Sequence, residues 1–302
     1  MRRKVVQQGP ATLMVSIPSK WARENGLKKG DEIDLEQSEG SITLRTKRKK
    51  SLNKTSIDLK HYGRIASRSI GALYKQGYDE IEIVFRTAKD LDIVNKNLNE
   101  FIGFEMVSQT KKGCMIKEIS APNEESFDLI LNRTILLLKS VAEDTYTALK
   151  SNDRQLLQAL PKRDTTINKY ANYCRRIINK HGYKDHNKTP MIYYLLEELE
   201  NLGDEYKYLV EFTLDNNYKL DTTQLTLLNS INDMLDQLYH LILKFDVKKA
   251  DSLSISYYEF STKIKRLEKT KEVKKSRVLD SLSGMSRIMM NMLGPLLTME
   301  LR

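Results

Sequence analysis

The stretch Thr12-Leu13-Met14-Val15-Ser16-Ile17-Pro18-Ser19-Lys20-Trp21-Ala22-Arg23-Glu24-Asn25-Gly26 decides how the chain begins to fold. Leu13, Val15 and Ile17 alternate with Thr12, Met14 and Ser16, the period of a half-buried strand. Pro18 suits a first helical turn and Gly26 a helix stop, so residues 18–26 read as one short helix. Lys29-Gly30-Asp31 is a turn. Ile33 and Leu35, then Ile42 and Leu44, alternate with polar residues and form a hairpin closed by Ser38-Glu39-Gly40. A piece of about 46 residues scarcely buries a core of its own. With no cysteine pair or metal set to compensate, it is expected to share strands with a second copy as an intertwined dimer. The run Lys47-Arg48-Lys49-Lys50-Ser51 reads as an exposed basic linker.

Outward from this module the pattern changes twice. Over residues 55–120, Ile57 and Leu59 make a short strand and 61–76 a helix carrying Ile65, Ser69, Ala72 and Leu73. Residues 78–85 form a strand, and 88–101 a helix with Leu91, Val94, Leu98 and Phe101 on one stripe. Strands at 104–108 and 115–119 flank a Lys111-Lys112-Gly113 turn. The order βαβαββ predicts a small α/β sandwich with its helices on one face. Residues 123–302 are helical nearly throughout. Six amphipathic segments fall near 123–150, 153–182, 189–217, 219–246, 249–273 and 275–301. Breaks come at Leu160-Pro161, His181-Gly182, Thr189-Pro190, Asp215-Asn216-Asn217 and near Lys271. Three long helices followed by three more suggest a duplicated three-helix unit, repeated in pattern rather than in sequence. The expected fold class is thus multidomain α+β, with domains at 1–50, 55–120 and 123–302.

Lys and Arg exceed Asp and Glu by 50 − 40 = 10, which favours a polyanionic partner. Residues 1–50 hold 12 Lys/Arg against 6 Asp/Glu, so more than half of the surplus sits in one sixth of the chain. Cys114 and Cys174 make no disulfide framework and no four-thiolate zinc site; they read as buried thiols of a reducing cytoplasm. The basic N-terminus lacks the apolar stretch of a signal peptide. No apolar run approaches the ~20 residues that span a bilayer, so the expected location is cytoplasmic.

Val15-Ser16-Ile17-Pro18-Ser19-Lys20-Trp21-Ala22-Arg23, followed by Gly26-Leu27-Lys28-Lys29-Gly30-Asp31-Glu32-Ile33, resembles the AbrB/MazE/SpoVT DNA-binding family over residues 1 to about 46. The resemblance implies a swapped-hairpin homodimer that lays its N-terminal strands and loops on double-stranded DNA. Phosphate neutralisation calls for projecting cations, for which Arg2, Arg3, Lys4, Lys20 and Arg23 are the candidates. Gln7, Gln8 and Thr12 flank the Gly9-Pro10 loop and are candidates for reaching base edges. That family often carries an Arg just after the loop glycine. Here the loop is Gly9-Pro10-Ala11-Thr12-Leu13, which puts the family's base readout in question.

A second constellation lies in the helices. Glu197, Glu200 and Asp204 share one helix face, and Glu200-x-x-x-Asp204 is a like-charge i, i+4 pair that a cation or partner must offset. Asp164-x-x-x-Asn168, on the preceding helix, has the same spacing. Two facing pairs of carboxylate and amide suit a hard or transition metal. These residues resemble the acidic motifs of the PhoU family, regulators of phosphate uptake with metal clusters on a bundle of three-helix units. The resemblance implies a divalent or ferric ion at Asp164, Glu200 and Asp204. Asn168 departs from the motif, and in the second unit Glu259-x-x-x-Lys263 and Asp280-x-x-x-Gly284 depart further.

The four histidines have no metal-ligand spacing with a cysteine, and the methionines 285, 289, 290 and 292 read as core filling. The basic stretch from Lys263 to Arg277 reads as a solvated helix hairpin. No phosphate-binding glycine loop, dinucleotide fingerprint, nucleophile elbow or acid–base constellation occurs, so no enzymatic activity is expected. Taken together, the resemblances imply a DNA-binding regulator of phosphate uptake whose bundle receives a transporter, metal or phosphate-related signal. The competing expectation is an adaptor docking on a membrane phosphate transporter or sensor kinase, its N-terminal module serving only to dimerise it.

Overall fold

A computed structural model describes residues 1–38, 40–46, 52–120, 126–267 and 273–301. The chain divides into two compact units, Met1–Asn53 and Lys54–Arg302. The expected basic run at 47–51, the residue Glu39 of the hairpin turn and the break near Lys271 lie outside the described residues.

The first unit has two separate antiparallel hairpins. Strand β1 (Val5–Gln7) pairs with β2 (Leu13–Val15), and β3 (Asp34–Ser38) with β4 (Ser41–Arg45). Helix α1 (Ser19–Glu24) lies between them in sequence. It ends as expected: Gly26, at φ +59°, donates its N–H to Arg23 O at 3.0 Å. Gly30 takes φ +95° in the following turn.

The second unit opens with a four-stranded sheet. Its strands are β5 (Lys54–Asp58), β6 (Glu80–Val84), β7 (Phe104–Thr110) and β8 (Gly113–Glu118), in the order β5-β6-β8-β7. β5 and β6 are parallel, joined through helix α2 (Ala66–Lys75); the remaining pairs are antiparallel. Helix α3 (Ala88–Leu98) starts in a capping box made by Thr87 and Asp90. Ile57, Ile81, Ile83, Cys114 and Ile116 point to one face, where Ile70 and Tyr74 of α2 and Val94 of α3 cover them. The opposite face carries the ladder Lys54–Glu80–Lys117, with N–O distances of 2.5 and 2.7 Å. The first helix begins later than the sequence pattern suggests. Leu59–His61 and Gly63–Ile65 are short 3₁₀ turns, because Gly63 adopts φ +46° and interrupts the helical path.

The rest of the unit is a helical bundle around one continuous core. Its helices are α4 (Phe127–Ser151), α5 (Arg154–Ala159), α6 (Pro161–His181), α7 (Thr189–Asp215), α8 (Thr222–Leu243), α9 (Val247–Leu267) and α10 (Val273–Glu300). The segment expected at 153–182 is split at the expected Leu160-Pro161 break, since Pro161 has no N–H with which to continue α5. Met285, Met289 and Met292 lie in the core as expected, whereas Met290 is half-buried at its edge.

Sheet and bundle are held together by a buried ionic joint. Arg176 of α6 is fully buried. It donates to Tyr74 O at 2.7 Å, to Glu118 Oε1 at 2.8 Å and to Asp79 Oδ1 at 3.4 Å. One turn on, Lys180 Nζ donates to Asp79 Oδ1 at 2.5 Å and Glu118 Oε2 at 2.7 Å. The guanidinium lies 5.1 Å from the Tyr74 ring and 4.8 Å from that of Phe104. Two cations thus meet two carboxylates with little access to water, an arrangement that costs several kcal/mol to break from one side.

Candidate nucleic-acid interface and acidic helix motif

The register of the first hairpin fixes where its polar residues stand. Val5 pairs with Val15, Val6 with Met14 and Gln7 with Leu13, and Gln8 N donates to Thr12 O at 2.8 Å. Gln7, Gln8 and Thr12 therefore gather at the turn end, where Gly9 takes φ +75°. Arg2, Arg3 and Lys4 precede β1 and sit at the open end. Val15 is at that open end too, and three residues separate it from Ser19, where α1 starts. Lys20 and Arg23 follow on α1. Lys4 and Gln8 stand four strand residues apart, roughly 14 Å. The hairpin thus sets Arg2, Arg3 and Lys4 at one end and the amide and hydroxyl side chains at the other.

All eight residues are exposed, with the cations free to project: Lys20 meets Glu24 only at 3.9 Å, and Arg23 Nε reaches Ser19 O at 3.4 Å. Among the residues of Met1–Asn53 whose side chains are described none is buried. Both faces of the first hairpin are apolar and open, with Val5, Val6, Met14 and Val15 between 45% and 58% exposed and Leu13 at 72%. Leu35 (60%) and Ile42 (64%) continue the pattern in the second hairpin. The single chain thus leaves valines and leucines exposed on two faces of this module.

In the bundle, α6 and α7 bring Asp164, Glu200 and Asp204 together, with cations of this chain among them. Lys207 Nζ donates to Asp164 Oδ2 at 2.8 Å and also to Asp204. Asn168 Nδ2 donates to the same Asp164 oxygen at 3.2 Å. Arg175, 1% exposed, pairs with Glu197 at 3.0 Å and with Glu200. The close approach of the two helices depends on Gly203. A Cβ there would lie 3.3 Å from Ile167 Cδ1 and 3.4 Å from Asp164 Oδ1.

Burial pushes the Asp164 carboxyl up, with the hydrogen bond from Lys207 opposing. Burial alone would lower Lys207, but its bonds to Asp164 and Asp204 outweigh this and hold the ammonium above the ordinary lysine range. Glu100, following α3, is also raised, first by burial and further by Glu200 and Asp164. The α/β sandwich therefore adds a carboxyl to this surface.

As arranged, these residues do not fit a metal. Lys207 takes the cation's place between Asp164 and Asp204, and Arg175 neutralises Glu200. Among the described residues, no group of three or more His, Cys, Asp or Glu is placed to share an ion. Arg175, Lys207 and Glu100 were outside the sequence expectation. Only Lys207, one turn beyond Asp204, carried a local signal.

Comparison with known proteins falls on the same two regions. Residues 6–52 match the family described as antidote-toxin recognition MazE, bacterial antitoxin. The matched segment coincides with the first compact unit. The chain is also similar to the phosphate transport system regulatory protein PhoU from Streptococcus pneumoniae, known as a crystal structure. The two are 18% identical with a TM-score of 0.49, over 59% of this chain and 95% of that one. No curated protein matches the chain. Among the described residues no helix is long and apolar enough to cross a membrane.

Proposed function

We propose that the chain is a cytoplasmic, homodimeric, DNA-binding regulator of transcription, without catalytic activity of its own. One observation carries this: the segment matching the MazE family is the unit that collects cations at one hairpin end and leaves its apolar faces uncovered. Two copies bring those faces together and double the phosphate-facing charge. The paired acidic motifs on α6 and α7, in their likeness to the PhoU family, support control of phosphate uptake, with the helical bundle as the part that receives the signal from a transporter or sensor.

The test is DNA binding by the full chain over a salt series, with its own upstream region beside an unrelated duplex. Arg2→Ala with Arg3→Ala removes four cations per dimer. At ~0.9 per phosphate contact, the slope of log K against log salt becomes shallower by about 3.6. An unchanged slope and affinity would sink the assigned surface. Equal, weak binding to both duplexes would favour the adaptor reading, in which the first unit only dimerises.

A further inference from the structure

The acidic motif holds an unfilled hydrogen-bonding capacity as well as its lysine. Asp164 is 7% exposed and Thr145, on α4, is fully buried. Each keeps an oxygen, Asp164 Oδ1 and Thr145 Oγ1, that is buried without a hydrogen-bond partner. Both residues line a cavity of about 10 Å³ that Lys207 also lines, just large enough for a single small occupant. Asn168 Oδ1 is unpartnered as well, while its Nδ2 holds Asp164. The two carboxylates carry a charge of −2 against the +1 of the ammonium between them.

We infer that Lys207 is a resident cation: it ties α6 to α7 through Asp164 and Asp204 where a metal would otherwise sit, and its removal turns the motif into a divalent-cation site. Asp164 and Asp204 would be the ligands, joined by Asn168 once its amide turns over to present Oδ1 in place of the Nδ2 that now faces Asp164. An all-oxygen set of this kind selects hard ions such as Mn²⁺ or Mg²⁺. The bundle is accordingly metal-independent as it stands. The ammonium has fixed charge and a covalent tether, so no change in metal supply can empty the position.

Full-length protein and its Lys207→Met variant, which keeps the aliphatic stem, are compared by thermal unfolding in EDTA and in Mn²⁺. Bound Mn²⁺ is counted by electron paramagnetic resonance. The unaltered protein is expected to melt at one temperature in both solutions and to bind no Mn²⁺ at this motif. Lys207→Met in EDTA should melt roughly 4 °C lower or more. Mn²⁺ should restore the loss with one ion per chain, and adding Asp164→Asn should abolish that ion. The inference is overturned if EDTA lowers the melting temperature of the unaltered protein. It is equally overturned if that protein holds an Mn²⁺ that Asp164→Asn removes, or if Lys207→Met takes up none. Should Lys207→Met fail to fold, refolding of Lys207→Gln with and without Mn²⁺ decides. Recovery only with the ion supports the inference, and recovery in neither overturns it.

Discussion

Arg176→Met is the substitution from which the structure predicts the largest single loss. Methionine keeps most of the apolar stem and deletes the guanidinium. Gone are the bonds to Tyr74 O (2.7 Å), Glu118 Oε1 (2.8 Å from Nη2 and 3.2 Å from Nε) and Asp79 (3.4 Å). Two buried carboxylates are left to share Lys180. Removing one partner from a buried ionic set costs about 3–5 kcal/mol, and an orphaned carbonyl about 1 kcal/mol more. Lys180 stays within 2.5 and 2.7 Å of the two acids and neutralises part of the residue, which places the net loss near 3–4 kcal/mol. Urea unfolding of the full chain, followed by far-ultraviolet circular dichroism, measures it. Trp21, the only tryptophan, lies in the other unit, so its emission separates the two transitions. Adding Glu118→Gln alone should recover at least about 1 kcal/mol, because Lys180 is then left one to one with Asp79 and no carboxylate is stranded. A loss under about 1 kcal/mol for Arg176→Met, or no recovery in the double variant, would refute the joint as a load on stability.

Three further outcomes are expected. Gly203→Ala forces a Cβ to 3.3–3.4 Å from Ile167 and Asp164, so it should cost about 1–2 kcal/mol in the same assay, against the gain alanine usually brings to a helix. Leu13→Glu or Ile42→Glu should shift full-length protein from dimer to monomer in sedimentation experiments without lowering the helical signal, because both side chains are open in the single chain. Burial pushes the Cys114 thiol up to about 11 and the Cys174 thiol up to about 12, so a disulfide reagent near pH 8 should label neither until the protein unfolds. Because the folded state holds protons that the unfolded chain loses, stability from these thiols is complete below about 9 and falls as pH rises toward 11–12.

Short-range chemistry made much of the fold legible. The glycines at 26 and 30 need positive φ and mark their turns; the alternation of Ile81 and Ile83 marks a strand with one buried face. Legibility failed where a single residue cuts a periodic pattern without marking it, as Gly63 does ahead of α2, whereas Pro161 marks the break between α5 and α6. The acidic motif was visible by spacing, but its counter-charges were not. Arg175 is 25 residues from Glu200, and Lys207 is 43 from Asp164. Periodicity says which face a side chain occupies, and only the packing of one helix on another says which charge it meets.

Helix α6 is where those tertiary charges converge. Arg175 and Arg176 are consecutive, and consecutive helical residues diverge by about 100° around the axis. Arg175 therefore turns to Glu197 and Glu200 of α7, while Arg176 turns to Glu118, Asp79 and Tyr74 of the sandwich. Both side chains are at most 1% exposed, so neither can release its partners into water without moving the helix. A disturbance at the acidic motif should then reach the sandwich through α6 itself. Glu200→Gln combined with Asp79→Asn tests this as a double-mutant cycle. Independent sites add to within about 0.5 kcal/mol, so a coupling energy above that value is expected. Strict additivity would mean that the two arginines act separately and that α6 transmits nothing between the faces it joins.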